Sequence, residues 1–414
     1  MPVKSDLAPW IWSALLLVVV CLPRVTIDIY LPSLPAMADA LHASDAQLQL
    51  TLTLYMVGYA FSMLIGGPLC DRFGRRPVLI GGTALYLMAT LMCVLARDVE
   101  VLIVARMLQA LGGCCGTVIG RVMVRDRFDR REQTRLLSRI SMGMAISPMV
   151  APIIGSLIET AFGWRGVFVV LSVIAALTLI LISLLLPETR PSARPDTRQQ
   201  GTLHIYARLL RDRYFLRYSL AIGCVYCTYF PFIAESSTLL QRTLHLSSME
   251  YAQVFAVTVA GYVLGSNLFR RLSVRHDADA LIGYAIALNL VGSSLLIMAT
   301  RLWPEALLSI VCPMLLIMLS VGIAIPACQL AVLQPFSAIA GTASGLFFFI
   351  QMAMTAVCGF VTGKLSDGSV YPMMIMTSIF SISFCLVWLL FKTETAPLGG
   401  GAGRTLKRHT RNGF

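Results

Sequence analysis

Charged residues are scarce in this sequence. They make up 13% of the 414 residues, whereas hydrophobic residues make up 57%, and the mean hydropathy is +0.77. A soluble protein of this size needs a largely polar surface, so the composition excludes a soluble globular chain and predicts that a lipid bilayer is its solvent. Long polar stretches are also lacking, and the longest, from 187 to 213, leaves no room for a separate globular domain.

The sequence signatures of common enzymes and metal sites are missing as well. There is no Walker A loop, no zinc signature and no nucleophile elbow. We therefore expect no enzyme activity, no metal and no cofactor other than a coupling ion. Eleven cysteines are present, but nearly all lie in apolar segments, which indicates packing residues rather than a disulfide framework.

Apolar segments of the length that crosses a bilayer, about 20 residues, recur from one end of the chain to the other. We predict an all-α polytopic membrane protein with twelve transmembrane helices in two bundles of six. The predicted spans are 11–33, 46–69, 77–96, 100–124, 137–160 and 164–186, then 214–239, 249–271, 279–300, 305–332, 338–364 and 371–392. The predicted domains are an N-terminal bundle at 1–186, an interdomain linker at 187–213, a C-terminal bundle at 214–395 and a basic tail at 396–414.

Basic residues outnumber acidic ones, 33 Lys and Arg against 21 Asp and Glu. With the N-terminus placed in the cytoplasm, 25 of the 33 fall in cytoplasmic loops and tails, five fall on the other side, and three lie within spans, namely Arg24, Arg106 and Arg121. Basic loops mark the cytoplasmic side of membrane proteins. The pattern predicts a bacterial inner-membrane protein with both termini in the cytoplasm, and it explains the positive charge without a nucleic-acid partner.

The loop between the second and third spans carries a specific motif. Residues 67–77 read GPLCDRFGRRP, which resembles the signature G-x-L-x-D-R-x-G-R-R/K of the major facilitator superfamily. Glycines allow a tight turn and close helix approach, and ion pairs between an Asp and arginines can hold one conformation. We predict a cytoplasmic gate formed by Gly67, Asp71, Arg72, Gly74, Arg75, Arg76 and Asp126.

Three further stretches resemble one branch of that superfamily. They are DIYLPSLP at 28–35, RMLQALG at 106–112, which is similar to R-x-x-Q-G, and APIIGS at 151–156, which is similar to the antiporter motif G-P-x-x-G-G. In the last, Pro152 and Gly155 match the motif, Ala151 and Ser156 replace its first and last glycines, and Pro148 lies just before it. Small residues and prolines permit kinked, closely packed helices. By these motifs the chain is identified as a member of the drug:proton antiporter family, Bcr/CflA branch, with EmrD-like members.

The resemblance implies a major facilitator fold and proton-driven export by alternating access. The substrates it implies are small lipophilic drugs such as amphenicols, quinolones or bicyclomycin-like compounds. An alternative is a proton-coupled exporter of a metabolite, for example a sugar, nucleoside, amino acid or siderophore. A membrane receptor without transport is a third hypothesis, and the intact gate motif argues against it. We expect a monomer whose partners are a small-molecule substrate and the lipid bilayer.

Ionisable side chains within a membrane span are costly unless paired or hydrated, and they are therefore candidates for function. Asp28 and Arg106 are expected at the same depth, on helices that both line the central cavity in this family. We predict that Asp28 carries the proton and that Arg106 tunes it, with a static pair as the alternative. Arg24 precedes Asp28 by one helical turn and can pair with it without help from the fourth span. Either Asp28 is shared by two arginines, or Arg24 meets an anionic substrate group or another acid. Glu235 is either a second proton site or a solvated residue at the rim.

Aromatic side chains on the predicted spans suit an adaptable pocket for apolar ligands, although most side chains at helical spacing are packing residues. The predicted substrate-contacting residues are Tyr30, Tyr55, Tyr59, Gln109, Tyr226, Tyr229, Phe230, Tyr251, Tyr262 and Phe348.

Overall fold

The computed structural model describes residues 9–189, 202–304, 306–336 and 339–391. Within these ranges the chain is helical, without a β-strand. The middle of the predicted linker, at 190–201, and the whole of the predicted tail at 396–414 lie outside the described residues. The part of the linker at 202–213 includes a short helix that was not predicted from the sequence.

Thirteen α-helices are described, eleven of them long. They are α1 (Pro9–Asp28), α2 (Leu34–Ala40), α3 (Asp45–Phe73), α4 (Arg75–Leu95), α5 (Val99–Arg127), α6 (Arg130–Leu185), α7 (Thr202–Leu209), α8 (Arg213–Thr238), α9 (Ser248–Leu272), α10 (Ala278–Leu302), α11 (Leu307–Leu333), α12 (Ala340–Leu365) and α13 (Tyr371–Leu390). Because α6 contains two of the predicted spans, these helices account for all twelve predicted crossings.

The fifth and sixth spans form one helical run of 56 residues rather than two helices with a loop. The run is interrupted only at Gly163, which has φ 71° and ψ 176°. That conformation is accessible to glycine and strained for other residues, so one residue reverses the chain where a longer loop is usual. The predicted boundary between these two spans, at 160–164, falls on this glycine.

The first span ends earlier than predicted. The sequence pattern predicted a helix to 33, but α1 ends at Asp28 and a 3₁₀ turn at Leu31–Ser33 leads into α2. Pro32 explains the change, because proline lacks the amide donor and its ring clashes with the carbonyl of the residue four positions earlier, here Asp28. The turn leaves Asp28 at the end of α1 rather than one turn inside it.

Long apolar faces point away from the protein interior. Met88, Leu91 and Leu95 on α4 and Leu386, Leu389 and Leu390 on α13 are exposed, as expected for side chains that contact lipid tails. Ten of the described helices are long and apolar enough to cross a membrane, and the run at 131–185 is one of them. Together with the twelve crossings, these lipid-facing surfaces describe a multi-pass membrane protein.

The two halves meet along two pairs of helices. The helix α3 packs against α12, and α6 packs against α9. Below, "motif end" denotes the end of the bundle with residues 71–76, and "distal end" denotes the opposite end. The long helix α8 is not among the ten apolar candidates, yet nearly all of its side chains are buried against α11, α12 and α13.

Candidate functional site

A cavity of about 260 Å³ lies between the two halves. Its walls come from α1, α3, α5 and α6 on one side and from α8, α9, α11 and α12 on the other. It reaches from Arg24 toward the motif end, where the exposed Arg125 forms part of its wall. The volume approaches that of pockets for small organic ligands.

Five of the predicted substrate residues line this cavity, namely Tyr59, Tyr226, Tyr229, Tyr262 and Phe348. The other five do not line it in this conformation, namely Tyr30, Tyr55, Gln109, Phe230 and Tyr251, which are fully buried within the helix bundles. These residues were chosen by type and span, and residue type does not distinguish a side chain that lines a cavity from one that packs against another helix.

Of the two partners considered from the sequence, Asp28 forms an ion pair with Arg24 and not with Arg106. The Asp28 carboxylate lies 3.3 Å from Arg24 Nε, one helical turn away. Its side chain is fully buried, and neither oxygen accepts a hydrogen bond from a described residue. Arg24 Nη1 also donates a hydrogen bond of 2.8 Å to Tyr226 Oη on α8. Through Arg24, the buried carboxylate of one half is therefore linked to the cavity wall of the other half.

Arg106 has partners of its own. Its guanidinium donates to Gln109 Oε1 at 2.6 Å and to the Thr26 carbonyl oxygen at 3.4 Å. It also lies 4.1 Å from the centre of the Tyr30 ring and 4.4 Å from that of Tyr55, which is cation–π geometry. Arg106 therefore lies near Thr26, two residues before Asp28, but its described partners do not include the carboxylate, and its Nε is buried without a hydrogen-bond partner among the described residues.

The Arg106 cluster ties four helices of the N-terminal half together. Gln109 Nε2 donates to Thr90 Oγ1 on α4 at 2.8 Å, and Thr26 Oγ1 and Tyr86 Oη are 2.6 Å apart. Tyr55 Oη on α3 donates to the carbonyl oxygen of Pro23 on α1 at 2.9 Å. A buried network with this many satisfied groups fixes the relative positions of its helices.

Glu235 is buried at the distal end between the two halves. It is 1% exposed, so the rim position considered from the sequence is wrong. Ser366 Oγ donates to Glu235 Oε2 at 3.0 Å, and Gln49 Nε2 on α3 donates to Ser366 Oγ at 3.3 Å. Glu235 Oε1 has no hydrogen-bond partner among the described residues. Glu235 does not line the cavity but takes part in the contacts that close its distal end.

The predicted gate residues form a cluster within the N-terminal half. Arg75 is fully buried, with Nε 2.9 Å from Asp126 Oδ2 and Nη1 3.2 Å from Asp71 Oδ1. Arg76 Nη2 donates to the Ser183 carbonyl oxygen at 2.6 Å, and Arg72 stacks over Phe73 with its guanidinium carbon 5.2 Å from the ring centre. In this conformation, the cluster joins α3, α4, α5 and the end of α6.

Glu188 belongs to the same cluster and was not predicted from the sequence. Its carboxylate accepts the backbone N–H groups of Arg75 and Arg76 at 3.0 and 3.2 Å, at the N-terminus of α4. A carboxylate is favourable there because the first amides of a helix lack internal partners. Gly74 is needed beside it, since its φ is 101° and an added Cβ would lie 2.5 Å from Glu188 Oε2. Gly67 differs, because an added Cβ meets nothing within 4 Å, so the predicted close approach is absent there.

The antiporter-motif residues separate into two positions on α6. Pro148 lines the cavity, whereas Pro152 is buried in the helix bundle. Gly155 contacts α1 so closely that an added Cβ would lie 1.8 Å from the carbonyl oxygen of Ile29. The glycine therefore allows α6 to pack directly against the backbone next to Asp28.

The distal end is closed by contacts between the halves, which we call the distal latch. Residues 237–242, at the end of α8 and in the π-helix that follows, contact the 3₁₀ turn and its neighbours. Ser237 Oγ donates to the Leu31 carbonyl oxygen at 2.6 Å, and Gln241 Nε2 donates to that of Pro32 at 2.9 Å. Arg242 pairs with Asp39 at 2.7 Å and with Asp45 at 3.3 Å.

Replacing Arg242 with alanine is expected to loosen the distal latch. Partly exposed ion pairs contribute about 0.5 kcal/mol each, so loss of both pairs shifts the balance about fivefold toward a distally open state. We would measure distances between spin labels at Arg97 and Arg301, two exposed distal positions on opposite halves, with exposed Cys312 replaced by serine. Arg275→Ala is the matched control, since Arg275 is exposed at the motif end. An unchanged distance distribution in Arg242→Ala would show that these ion pairs do not hold the latch.

Comparison with known proteins provides a family assignment. Residues 16–357 match the family model described as Major Facilitator Superfamily. "Multidrug resistance protein D" of Escherichia coli strain K12 is 27% identical over 385 residues, which is 93% of this chain and 96% of that protein. "Multidrug resistance protein MdtL" of E. coli O127:H6 is 34% identical over 232 residues, which is 56% of this chain and 59% of that protein.

A solved structure shares the fold. A bacterial homologue of the human lysosomal transporter Spinster, in an inward-facing and unoccupied conformation, superimposes with a TM-score of 0.73 at 15% sequence identity. The match covers 94% of this chain and 98% of the other. At this identity the likeness establishes the fold alone.

Proposed function

Since the chain belongs to the major facilitator superfamily and its relatives include multidrug resistance proteins, we propose that it is a proton-driven secondary active exporter, a drug:proton antiporter of small lipophilic compounds. Family and relatives together indicate a multi-pass membrane transporter rather than an enzyme, and they support drug efflux in general terms. The candidate substrates remain amphenicols, quinolones and bicyclomycin-like compounds. We place the protein in a bacterial inner membrane as a monomer, with the motif end and both termini in the cytoplasm and no cofactor except the proton.

The observation that carries this proposal is the link from Asp28 through Arg24 to Tyr226. A carboxylate buried in a membrane span, with one ion pair and no hydrogen bond from a described residue, is a candidate for proton exchange. Protonation of Asp28 removes the counter-charge of Arg24, and Arg24 donates to the cavity wall of the other half. Proton binding in one half is thereby connected to a contact between the halves.

The two ends of the cavity differ, and this difference supports a scheme of alternating access. The distal latch closes one end, and the cavity extends toward the motif end. Export then requires that the latch opens and that the halves come together around the motif end, with Arg106 and its network keeping the N-terminal half rigid. In this scheme Arg106 is a structural centre of that half, and Glu235 is a second carboxylate whose protonation bears on the latch.

Everted membrane vesicles test the function directly. Uptake of chloramphenicol, norfloxacin and bicyclomycin would be measured in vesicles with and without an imposed pH gradient, and again after a protonophore. We expect uptake that requires the gradient and collapses with the protonophore. Flux that is insensitive to the protonophore would contradict antiport, and absence of flux for all three compounds, with flux of a metabolite, would favour the metabolite exporter.

A further inference from the structure

The charge of the cavity wall differs from that expected for a purely lipophilic binding site. Three arginines line the cavity, namely Arg24, Arg121 and Arg125, and no Asp or Glu is among the described lining residues. Asp28 compensates Arg24. Arg121 and Arg125 remain, and within the described part of the chain no carboxylate lies within ion-pair distance of either.

Arg121 lies inside the cavity and has weak partners. Its Nη2 is 3.3 Å from the thioether sulfur of Met144, and its guanidinium carbon is 6.0 Å from the centre of the Phe348 ring. A thioether is a poor acceptor, and the other N–H donors of Arg121 make no hydrogen bond to a described residue. A partly buried guanidinium in a membrane span whose remaining donors meet no acceptor among the described residues has donors available for an anionic ligand in the cavity.

The arrangement along the cavity indicates the shape of that partner. Gly113 on α5 faces Pro23, the neighbour of Arg24, so Arg24 lies about eight residues from Arg121 along α5, or roughly 12 Å at 1.5 Å per residue. Aromatic side chains occupy the wall between them, including Tyr59, Tyr226 and Tyr229. Arg125 follows Arg121 by one turn, toward the motif end. The cavity thus presents an apolar aromatic region next to an uncompensated guanidinium.

We propose that this cavity binds amphipathic organic anions, with an aromatic or aliphatic body between the tyrosines and a carboxylate or similar acidic group on Arg121. The proposal rests on the proposed transport function and narrows its substrate class. Of the three candidate drug classes, only quinolones have a carboxylate as part of their core. Arg125 at the wall near the motif end favours entry of anions by long-range attraction.

The test uses three ligands that share one ring system but differ in charge. The full-length protein is held in lipid nanodiscs. Equilibrium binding of 2-naphthylacetate, its neutral amide and the cation 2-(2-naphthyl)ethylammonium would be measured by calorimetry at neutral pH. We expect the anion to bind about tenfold more tightly than the amide, as for a charge-assisted hydrogen bond, and the cation most weakly. Equal affinities, or tightest binding of the cation, measured on the wild-type protein would by themselves overturn the proposal.

Variants then locate the anion. In Arg121→Gln the preference for anion over amide should fall to less than about threefold, with amide binding unchanged, and Arg121→Lys should retain part of it because the charge remains. Arg275→Gln, at an exposed position away from the cavity, should behave as wild type. An anion preference that survives in Arg121→Gln would place the anion elsewhere and overturn the assignment.

The same purified proteins, reconstituted into proteoliposomes, separate this proposal from the transport mechanism. Proton-driven uptake of the neutral drug chloramphenicol would be measured there with an imposed pH gradient. If chloramphenicol transport is intact but the anion binds no more tightly than the amide, the proposed export function stands and the proposed anion site is wrong. If the anion binds more tightly than the amide but no compound shows proton-driven transport, the proposed anion site stands and the proposed antiport function is wrong.

Discussion

Replacing Asp28 with asparagine is expected to abolish proton-driven transport while the protein still folds. Asparagine has nearly the same volume as aspartate but cannot release a proton, so the buried site no longer changes its charge. Proton-driven flux should fall by about 100-fold or more, the scale of effects seen when a proton-transfer group is removed. Downhill substrate flux, which needs no proton exchange, should persist. The measurement is substrate-induced proton release in proteoliposomes with a pH-sensitive dye, at matched protein density.

Two companion variants make the Asp28 result interpretable. Asp98→Asn is the matched control, since Asp98 is an exposed residue before α5 whose side chain forms no capping hydrogen bond. In Asp28→Asn alone, Arg24 loses its counter-charge and the fold can suffer for that reason. The double variant Arg24→Gln with Asp28→Asn removes both charges and should restore stability without restoring proton coupling. Coupled transport at wild-type rates in either Asp28 variant would remove Asp28 from the mechanism.

Replacing Gly155 with alanine adds a single methyl group, but it is expected to lower both stability and transport substantially. The new methyl group would lie 1.8 Å from the Ile29 carbonyl oxygen, a distance that no real Cβ contact shows. Helix α6 or the end of α1 must therefore move by roughly 1 Å. Overpacking of this kind costs about 1–3 kcal/mol, and a 1 Å displacement of functional groups can lower a rate about 100-fold. Thermal unfolding and transport measured together would show both effects.

The control for Gly155 is another helical glycine. Gly81 on α4 is exposed, and an added Cβ meets nothing within 4 Å. Gly81→Ala should leave transport unchanged and slightly stabilise its helix, because alanine has the higher helix propensity. If Gly155→Ala has full stability and transport, the close contact with Ile29 is not a constraint, and the position tolerates a side chain through adjustment of the helices.

The fold was predictable from the sequence because its cause is local. Most crossing helices are apolar over about 20 residues, so most spans can be identified within their own segments. The two features that the sequence did not predict, the early end of α1 and the turn at Gly163, also have local causes, but only the backbone geometry shows them. Pro32 ended α1 early, and a single positive φ at Gly163 replaced a loop. Residue type indicates where such events are permitted, not where they occur.

The site was less predictable because its partners are distant in sequence. The sequence identified Asp28, Arg24 and Arg106 as buried charges, but helical spacing favoured the local Arg24 pair as strongly as the remote one, and only the structure distinguishes them. The sequence placed Arg121 within a span but assigned it no role. Whether a charged side chain has an ion-pair partner is known only once its neighbours in space are known. Glu188 was missed because its partners are backbone amides.

Helix α8 has a consequence for how the protein is made. It carries Arg213, Arg217 and Glu235, it is not among the helices that are apolar enough to cross a membrane alone, and it packs against α11, α12 and α13. Those neighbours are synthesised after it. We therefore expect α8 to settle in the bilayer only once later helices have emerged to shield its polar groups, so that chains truncated before α12 would fail to integrate this segment. The helix that joins the latch to the cavity would then be among the last to reach its place during biosynthesis.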